Sequence, residues 1–270
     1  MKVGQALRPL LPAALRRSVP PKQYPGVCPD TRHERQVLVL EGCVQPSMTP
    51  ATNAATARVL DRLGISVIKA KGAGCCGALT YHLNEQVAAL EFMRRNIDAW
   101  WPHLENGGEK IIMTASGCGA TVRDYGHLLR NDPDYAAKAT RVSEMTVDLG
   151  ELLAGEDLTP LGIDGGGTRV AFHPPCTLQH GQKLTGIVEG VLEQLGFTLT
   201  PIPDKHLCCG SSGTYSILQK TLSQQLLEEK VESLKSGSPE VIATANIGCQ
   251  LHLQSGTEHK VQHWIELLDR

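Results

Sequence analysis

Long apolar runs are missing from this chain, and so is a dominant charge of either sign. No stretch approaches the roughly 20 apolar residues a bilayer-spanning helix needs, so no such span is expected. A net charge of −2 leaves no basic field for a phosphate backbone, and 4% aromatic residues provide no stacking platform. Nucleic acid is therefore excluded as an expected partner. The first residues carry Lys2, Arg8, Arg16 and Arg17, but their apolar pieces are short and cut by Pro9 and Pro12, unlike a secretory signal. No nucleophile–base constellation stands out. The glycine-rich "GIDGGGT" (162–168) precedes a strand pattern rather than a helix, which makes it a poor phosphate loop and a good linker. The compact metal motifs are absent too. There is no C-x₂-C pair of the structural-zinc kind and no C-x₂-C-x₂-C-x₃-C-P run.

What the chain does have is cysteine, nine of them, an odd number without an export signal. A reducing, cytoplasmic compartment is the expectation, and there clustered cysteines bind metal or do redox chemistry. Two pairs are adjacent, in "GCCGA" (74–78) and "LCCGS" (207–211). A disulfide between neighbours would strain the geometry that S–S bonds require.

The spacing shows a repeat. Cys43 and Cys75 lie 32 positions apart, as do Cys176 and Cys208; Cys76 to Cys118 is 42 and Cys209 to Cys249 is 40. The text between agrees. "ARVLDRLGISV" (57–67) answers "EGVLEQLGFTL" (189–199), and "IIMTASGCGA" (111–120) answers "VIATANIGCQ" (241–250). Each half closes on a Leu-Leu helix, "LGELL" (149–153) and "WIELL" (264–268). The boundaries read as an N-terminal linker segment over 1–35, a first cysteine-rich domain over 36–155 and a second over 168–270. The Gly- and Pro-bearing "GEDLTPLGIDGGG" (155–167) joins the two.

Each half reads as strand, helix, strand, helix, strand, helix: an α/β fold of two homologous repeats, each a small parallel sheet flanked by helices. In the first half the strands are "QVLVL" (36–40), "ISVIK" (65–69) and "KIIMT" (110–114). Helices are expected over 51–63, with Ala55, Val59 and Leu63 on one stripe, and over 79–101. In the second half the strands are "RVAFH" (169–173), "FTLTPI" (197–202) and "EVIAT" (240–244). Right-handed crossovers make the strands parallel, so their carboxyl ends share one edge, the edge where open α/β sheets bind ligands. Cys43, Cys75, Cys76 and Cys118 follow the strands of the first half, and Cys176, Cys208, Cys209 and Cys249 those of the second. All eight are candidate metal ligands. Gly77 and Gly210 relieve crowding after each pair, and the next helix offers free N–H groups that favour thiolate. "SSGT" (211–214) offers hydroxyls to cap the second of these helices.

Spacing alone leaves the metal open between zinc and an iron–sulfur centre. The competing reading is that the thiols merely fill space; their clustering at strand ends weighs against it.

The half-motif C…CCG…C resembles the cysteine-rich CCG domain found in the B subunit of heterodisulfide reductase and in iron–sulfur subunits of respiratory dehydrogenases. "RQVLVLEGCVQPSMTPATNAATARVLDRLGISV", "AGCCGALTYHLNEQ", "TASGCGATVRDYGHLL", "GFTLTPIPDKHLCCGSSGTY" and "TANIGCQLHL" are similar to the iron–sulfur subunits of glycolate oxidase. The resemblance implies an electron-carrying subunit with iron–sulfur clusters of the 4Fe-4S kind and no catalytic residues of its own. Electrons would come from a flavin-containing partner subunit and pass toward a quinone. The implied location is cytoplasmic, or peripheral on the cytoplasmic face of the inner membrane, with the N-terminal stretch as a linker or a basic membrane-touching helix. Two departures stand out. The family's ferredoxin-like region, with its two C-x₂-C-x₂-C-x₃-C-P sets, has no counterpart here, so the chain is expected to represent the C-terminal part of such a subunit. The fullest CCG motif ends in C-x-x-C, but here Thr121 follows Cys118 at +3 and His252 follows Cys249. Each half thus offers four thiols, one fewer than a non-cubane cluster needs. His252 is either an extra ligand or a surface histidine, and His173 in "FHPPC" is open in the same way. Cys28 is read as a free thiol. The alternatives are a lactate-utilisation subunit, a heterodisulfide-reductase-like enzyme, and a zinc scaffold, with zinc in one half only as a variant.

Overall fold

A computed structural model describes Gln5, residues 7–12, Val19 and its following residues from 21 to 270, except position 20. Most of the basic N-terminal stretch, and so the expected linker or membrane-touching helix, lies outside the described residues. From residue 35 onward the chain alternates strand and helix, as the hydrophobic patterning predicts. The first half runs β1 (Arg35–Leu40), α1 (Pro50–Arg62), β2 (Ile65–Ile68), α2 (Ala78–His82), α3 (Gln86–Glu105), β3 (Ile111–Met113), α4 (Ser116–Arg123), α5 (Ala136–Met145), β4 (Thr146–Asp148) and α6 (Leu149–Ala154). The second runs β5 (Arg169–His173), a π-helical turn (Thr177–Gly181), α7 (Ile187–Gln194), β6 (Thr198–Leu199), α8 (Lys220–Lys235), β7 (Val241–Thr244), α9 (Ile247–Gly256), β8 (Val261–His263) and a 3₁₀ turn (Trp264–Leu267).

The strands form two four-stranded parallel sheets of identical order, β2-β1-β3-β4 and β6-β5-β7-β8. The fourth strand of each was not visible in the sequence. "TVD" and "VQH" are too short to show a period of two, and they run directly into the Leu-Leu turns. Three other expectations need correction. The helix expected over 79–101 breaks at 83–85, where Asn84 takes φ +66°. The strand expected over 197–202 shrinks to Thr198–Leu199, because Pro201 and Pro203 have no N–H for a ladder. The "SSGT" hydroxyls cap no helix: neither Thr214 nor Gln219, which precede the next two helical segments, makes a side-chain cap bond. The stretch between the halves is not loose either. Leu158 and Leu161 are buried, and Gly165 donates to the Leu195 carbonyl at 2.6 Å.

Strand alternation assembles the molecule. Val37 and Ile112 of the first sheet and Val170, Phe172 and Ala243 of the second face one shared core with Ala55, Val59, Leu153, Val188 and Trp264. The alternate residues face outward. Leu38, Leu40, Ile111 and Met113 pack under α3 with Met93, Ile97 and Trp100, and Ala171 and Ile242 pack under α8 and α9 with Leu227, Leu234 and Leu253. The two halves are thus one folding unit around a common centre.

The repeat extends to its buried polar groups. Asp148 and His263 each end the fourth strand of a half, and each caps the segment that follows. Asp148 accepts from Gly150 N–H at 2.9 Å, and His263 Nδ1 accepts from Ile265 N–H at 3.2 Å. His263 Nε2 therefore carries the proton and donates to the Thr114 carbonyl of the other half at 2.8 Å. Burial raises the Asp148 carboxyl to about 7 and lowers the His263 imidazole to about 4. The two have opposite consequences. The raised carboxyl contributes stability that is full below its unfolded pKa near 3.9 and is lost as pH rises to about 7. The lowered imidazole contributes stability that is full above about 6.5 and is lost as pH falls toward 4. Urea titrations should show wild type losing about 1.4 kcal/mol per pH unit relative to Asp148→Asn between pH 4 and 7. Relative to His263→Gln it should gain at a similar slope between pH 4 and 6.5. A pH-independent difference in both comparisons would contradict the assignment.

Candidate metal centre

The order β2-β1-β3 places the first half's switch of crossover direction between β1 and β3, at the edge where such sheets bind ligands. Cys43 lies three residues beyond β1, after Gly42 at φ +77°. Cys75 and Cys76 lie beyond β2, and Cys118 sits in the first turn of α4. The second half repeats this with Cys176 before the π turn, Cys208 and Cys209 beyond β6, and Cys249 in the first turn of α9. All eight are free thiols. Within each half they touch in series: Cys43 to Cys75, Cys75 to Cys76, Cys76 to Cys118, and Cys176 to Cys208, Cys208 to Cys209, Cys209 to Cys249. The structure thus gathers the expected residues into two sets of four. Cys28 is exposed and stands apart from both.

The glycine after each pair is fixed by geometry. Gly77 and Gly210 adopt φ +86° and +88°, and each donates its N–H back to the first thiol of its pair, at 3.4 Å to Cys75 and 3.3 Å to Cys208. A Cβ would lie 2.9 Å from the Ala89 carbonyl oxygen at Gly77 and 2.5 Å from that of Ser223 at Gly210. Only glycine lets the turn lie this close to the helix behind it.

That helix also anchors the pair. Buried Asn96 of α3 accepts from Gly74 N–H at 2.9 Å and donates to the Cys75 carbonyl at 2.8 Å. Tyr125, also buried, donates to the Cys76 carbonyl at 2.8 Å. With both carbonyls tied to the core, the backbone of the pair is held rigidly. In the second half Lys230 of α8, 2% exposed, donates to the carbonyls of Asp204 at 3.0 Å and Lys205 at 3.4 Å. Sequence reasoning did not single out Asn96, Tyr125 or Lys230. Their signal is a polar group on the otherwise apolar face of a helix.

The thiols within each set affect one another unevenly. Contacts from Cys43 and Cys76, with help from Gly77 N–H and Arg95, hold the Cys75 thiol far below the usual range. Contacts from Cys176 and Cys209 do the same for Cys208. Their neighbours move the other way: Cys75 and burial push Cys43 up, and Cys118, Cys75 and burial push Cys76 up. Four thiols in contact, one of them held as thiolate by its neighbours, are a donor set for a cation. The residues fit a thiolate-bound metal or iron–sulfur centre in each half.

The two sets are not equal. Cys118 is partly exposed whereas Cys249 is buried, and Cys43 is exposed whereas Cys176 is half-buried. Asn246 Nδ2 donates to Cys249 Sγ at 3.6 Å, and its Oδ1 accepts from Gly117 N–H of the first half at 3.2 Å, so one side chain links both cysteine loops. Of the two open histidines, His252 bonds Ser223 Oγ at 3.2 Å behind the CCG turn. Buried His173 instead has one ring nitrogen that lies with Cys209 and Cys249 Sγ, the three atoms all within 4.8 Å of one another.

Fold and site together define a tandem-repeat α/β protein that collects four thiols at one sheet edge of each repeat. The chain belongs to the cysteine-rich CCG domain family, whose model matches residues 37–123 and 170–254. It is 57% identical over 270 residues to the glycolate oxidase iron-sulfur subunit of Escherichia coli K12, covering all of this chain and 66% of that one. It therefore spans just under two thirds of that relative's length. Lactate utilization protein A of Bacillus velezensis is 29% identical over 247 residues, covering 87% of this chain and 99% of the relative, and that of Bacillus subtilis is 28% identical over 247 residues.

Proposed function

We propose that the protein is an iron–sulfur electron carrier of a glycolate-oxidising complex, with each half holding one centre of the [4Fe–4S] type through its four cysteines. The observation that carries this reading is the convergence of Cys43, Cys75, Cys76 and Cys118, and of Cys176, Cys208, Cys209 and Cys249, as two four-thiol sets. Four thiolates match the Cys₄ ligation of such clusters. The 57% identity to a subunit named for glycolate oxidase supports the rest. Such a centre supplies one-electron transfer. The chain's own residues hold it: the pinned CCG turns fix two ligands per half, and the N–H groups of Gly77 and Gly210 offset thiolate charge. Substrate oxidation belongs on this reading to a flavin-bearing partner, and a quinone takes the electrons. A quinone resides in the bilayer, so we infer docking at the cytoplasmic face of the inner membrane. No helix among the described residues is long and apolar enough to cross it.

The test is anaerobic. Mixed with the flavin-bearing subunits, the protein should lose its iron–sulfur absorbance within the turnover time when glycolate is added. Absorbance that dithionite bleaches but glycolate does not would overturn the role. Lactate is the second reading, favoured by the 99% coverage of the Bacillus velezensis relative; the same experiment with lactate separates the two.

A further inference from the structure

His173 ends β5 at the position where Leu40 ends β1. The registers show the equivalence: Leu40 pairs with Met113, His173 with Thr244, and each of those partners lies five residues before the last cysteine of its half. Both side chains face the outer side of their sheet. In the first half this place is apolar, and Leu40 packs in one cluster with Cys76 and Met113. In the second half it holds an imidazole with no exposure, whose ring nitrogens meet no nitrogen or oxygen partner and touch only the Cys249 thiol. A buried polar ring left unpaired costs roughly 1–3 kcal/mol, so such groups are almost always satisfied by something. The atoms that face it are Cys209 and Cys249 Sγ, both buried.

We propose that a ring nitrogen of His173 takes one ligand position of the inorganic centre in the second half, alongside Cys209 and Cys249 and in place of one of the half's other two cysteines. This rests on the reading that each half holds such a centre. The two halves are then inequivalent by construction: the first offers thiolates alone, the second thiolates and a neutral imidazole. A neutral ligand makes a cluster less negative, as when histidines replace cysteines in Rieske centres and raise the potential. Lys230 adds to this, a cation held near Cys208 and Cys209 where the first half has the neutral Asn96 on the helix behind its own pair. The second-half centre therefore has the higher potential and is the electron sink of the pair.

The test uses the full chain, purified anaerobically from cells fed [¹⁵N]histidine, in wild-type form and as Cys76→Ser, which leaves the second-half centre as the one observed. Pulsed EPR of the reduced protein should show a strongly coupled ¹⁵N nucleus in both. The coupling should vanish in His173→Leu, a change that installs the residue the first half already tolerates. In His173→Cys the nitrogen coupling should vanish and the midpoint potential should fall. A second-half iron centre with no histidine nitrogen coupling in wild type overturns the ligand and leaves the electron-carrier reading standing. Zinc there instead of iron overturns the electron-carrier reading for that half. X-ray absorption at the zinc edge then decides His173 by the presence or absence of a nitrogen scatterer. A second half without any metal overturns both.

Discussion

Replacing Cys76 with serine is expected to remove the first-half centre completely while leaving the second intact, and Cys209→Ser is expected to do the reverse. The reason is geometric. Cys76 touches both Cys75 and Cys118, and Cys209 both Cys208 and Cys249, so each is the middle of its series. Each is also buried, which leaves no water to stand in for the missing thiolate. Losing an outer-shell partner costs a site roughly 10–100-fold in metal affinity, and losing an inner ligand costs more. Iron per chain should fall to about half in either single variant and to background in the double. Cys28→Ser, at an exposed thiol outside both sets, should leave it unchanged. Iron that survives both single changes, or disappears in either one, would contradict two independent sets.

The second large effect concerns the glycines. Gly210→Ala should lower stability by about 3 kcal/mol or more and empty the second-half site. The added methyl meets the Ser223 carbonyl oxygen at 2.5 Å, which is backbone and cannot rotate away, and the Leu226 Cβ at 3.2 Å. It also forces an alanine into φ +88°, a strain of about 1–3 kcal/mol by itself. Gly186→Ala separates the terms. Gly186 has φ +81° but nothing within 4 Å of a would-be Cβ, so that variant should cost only the conformational part and keep its iron. Equal losses in the two variants, read by denaturant titration and metal content, would mean that close approach at the CCG turn is unimportant.

Much of this was legible in the sequence, because the chain states its plan twice. Matching intervals between cysteines gave the repeat, and the runs "QVLVL" and "RVAFH" gave central strands, so the shared carboxyl edge followed from topology alone. The glycines after each pair were expected for backbone reasons and take the left-handed conformation. Hidden features were those that depend on contacts across the fold. The fourth strands are three residues long, and pairing with β3 and β7 makes them strands rather than any pattern of their own. Asn96 and Lys230 read as ordinary helix residues until the fold brings the loop before the cysteine pair against them. Neither the burial of His173 nor its contact with the Cys249 thiol can be read from "FHPPC". Where Leu40 is answered by His173, and Ala115 by Asn246, the repeat has diverged at positions that border the thiols.

Two four-thiol sets that grip inorganic centres must carry iron and sulfide in the folded protein. Iron and acid-labile sulfide should be counted per chain in protein isolated strictly without oxygen. Two [4Fe–4S] centres predict about eight of each, together with a reduced-state EPR signal. Iron and sulfide at background in the folded protein would contradict this assignment.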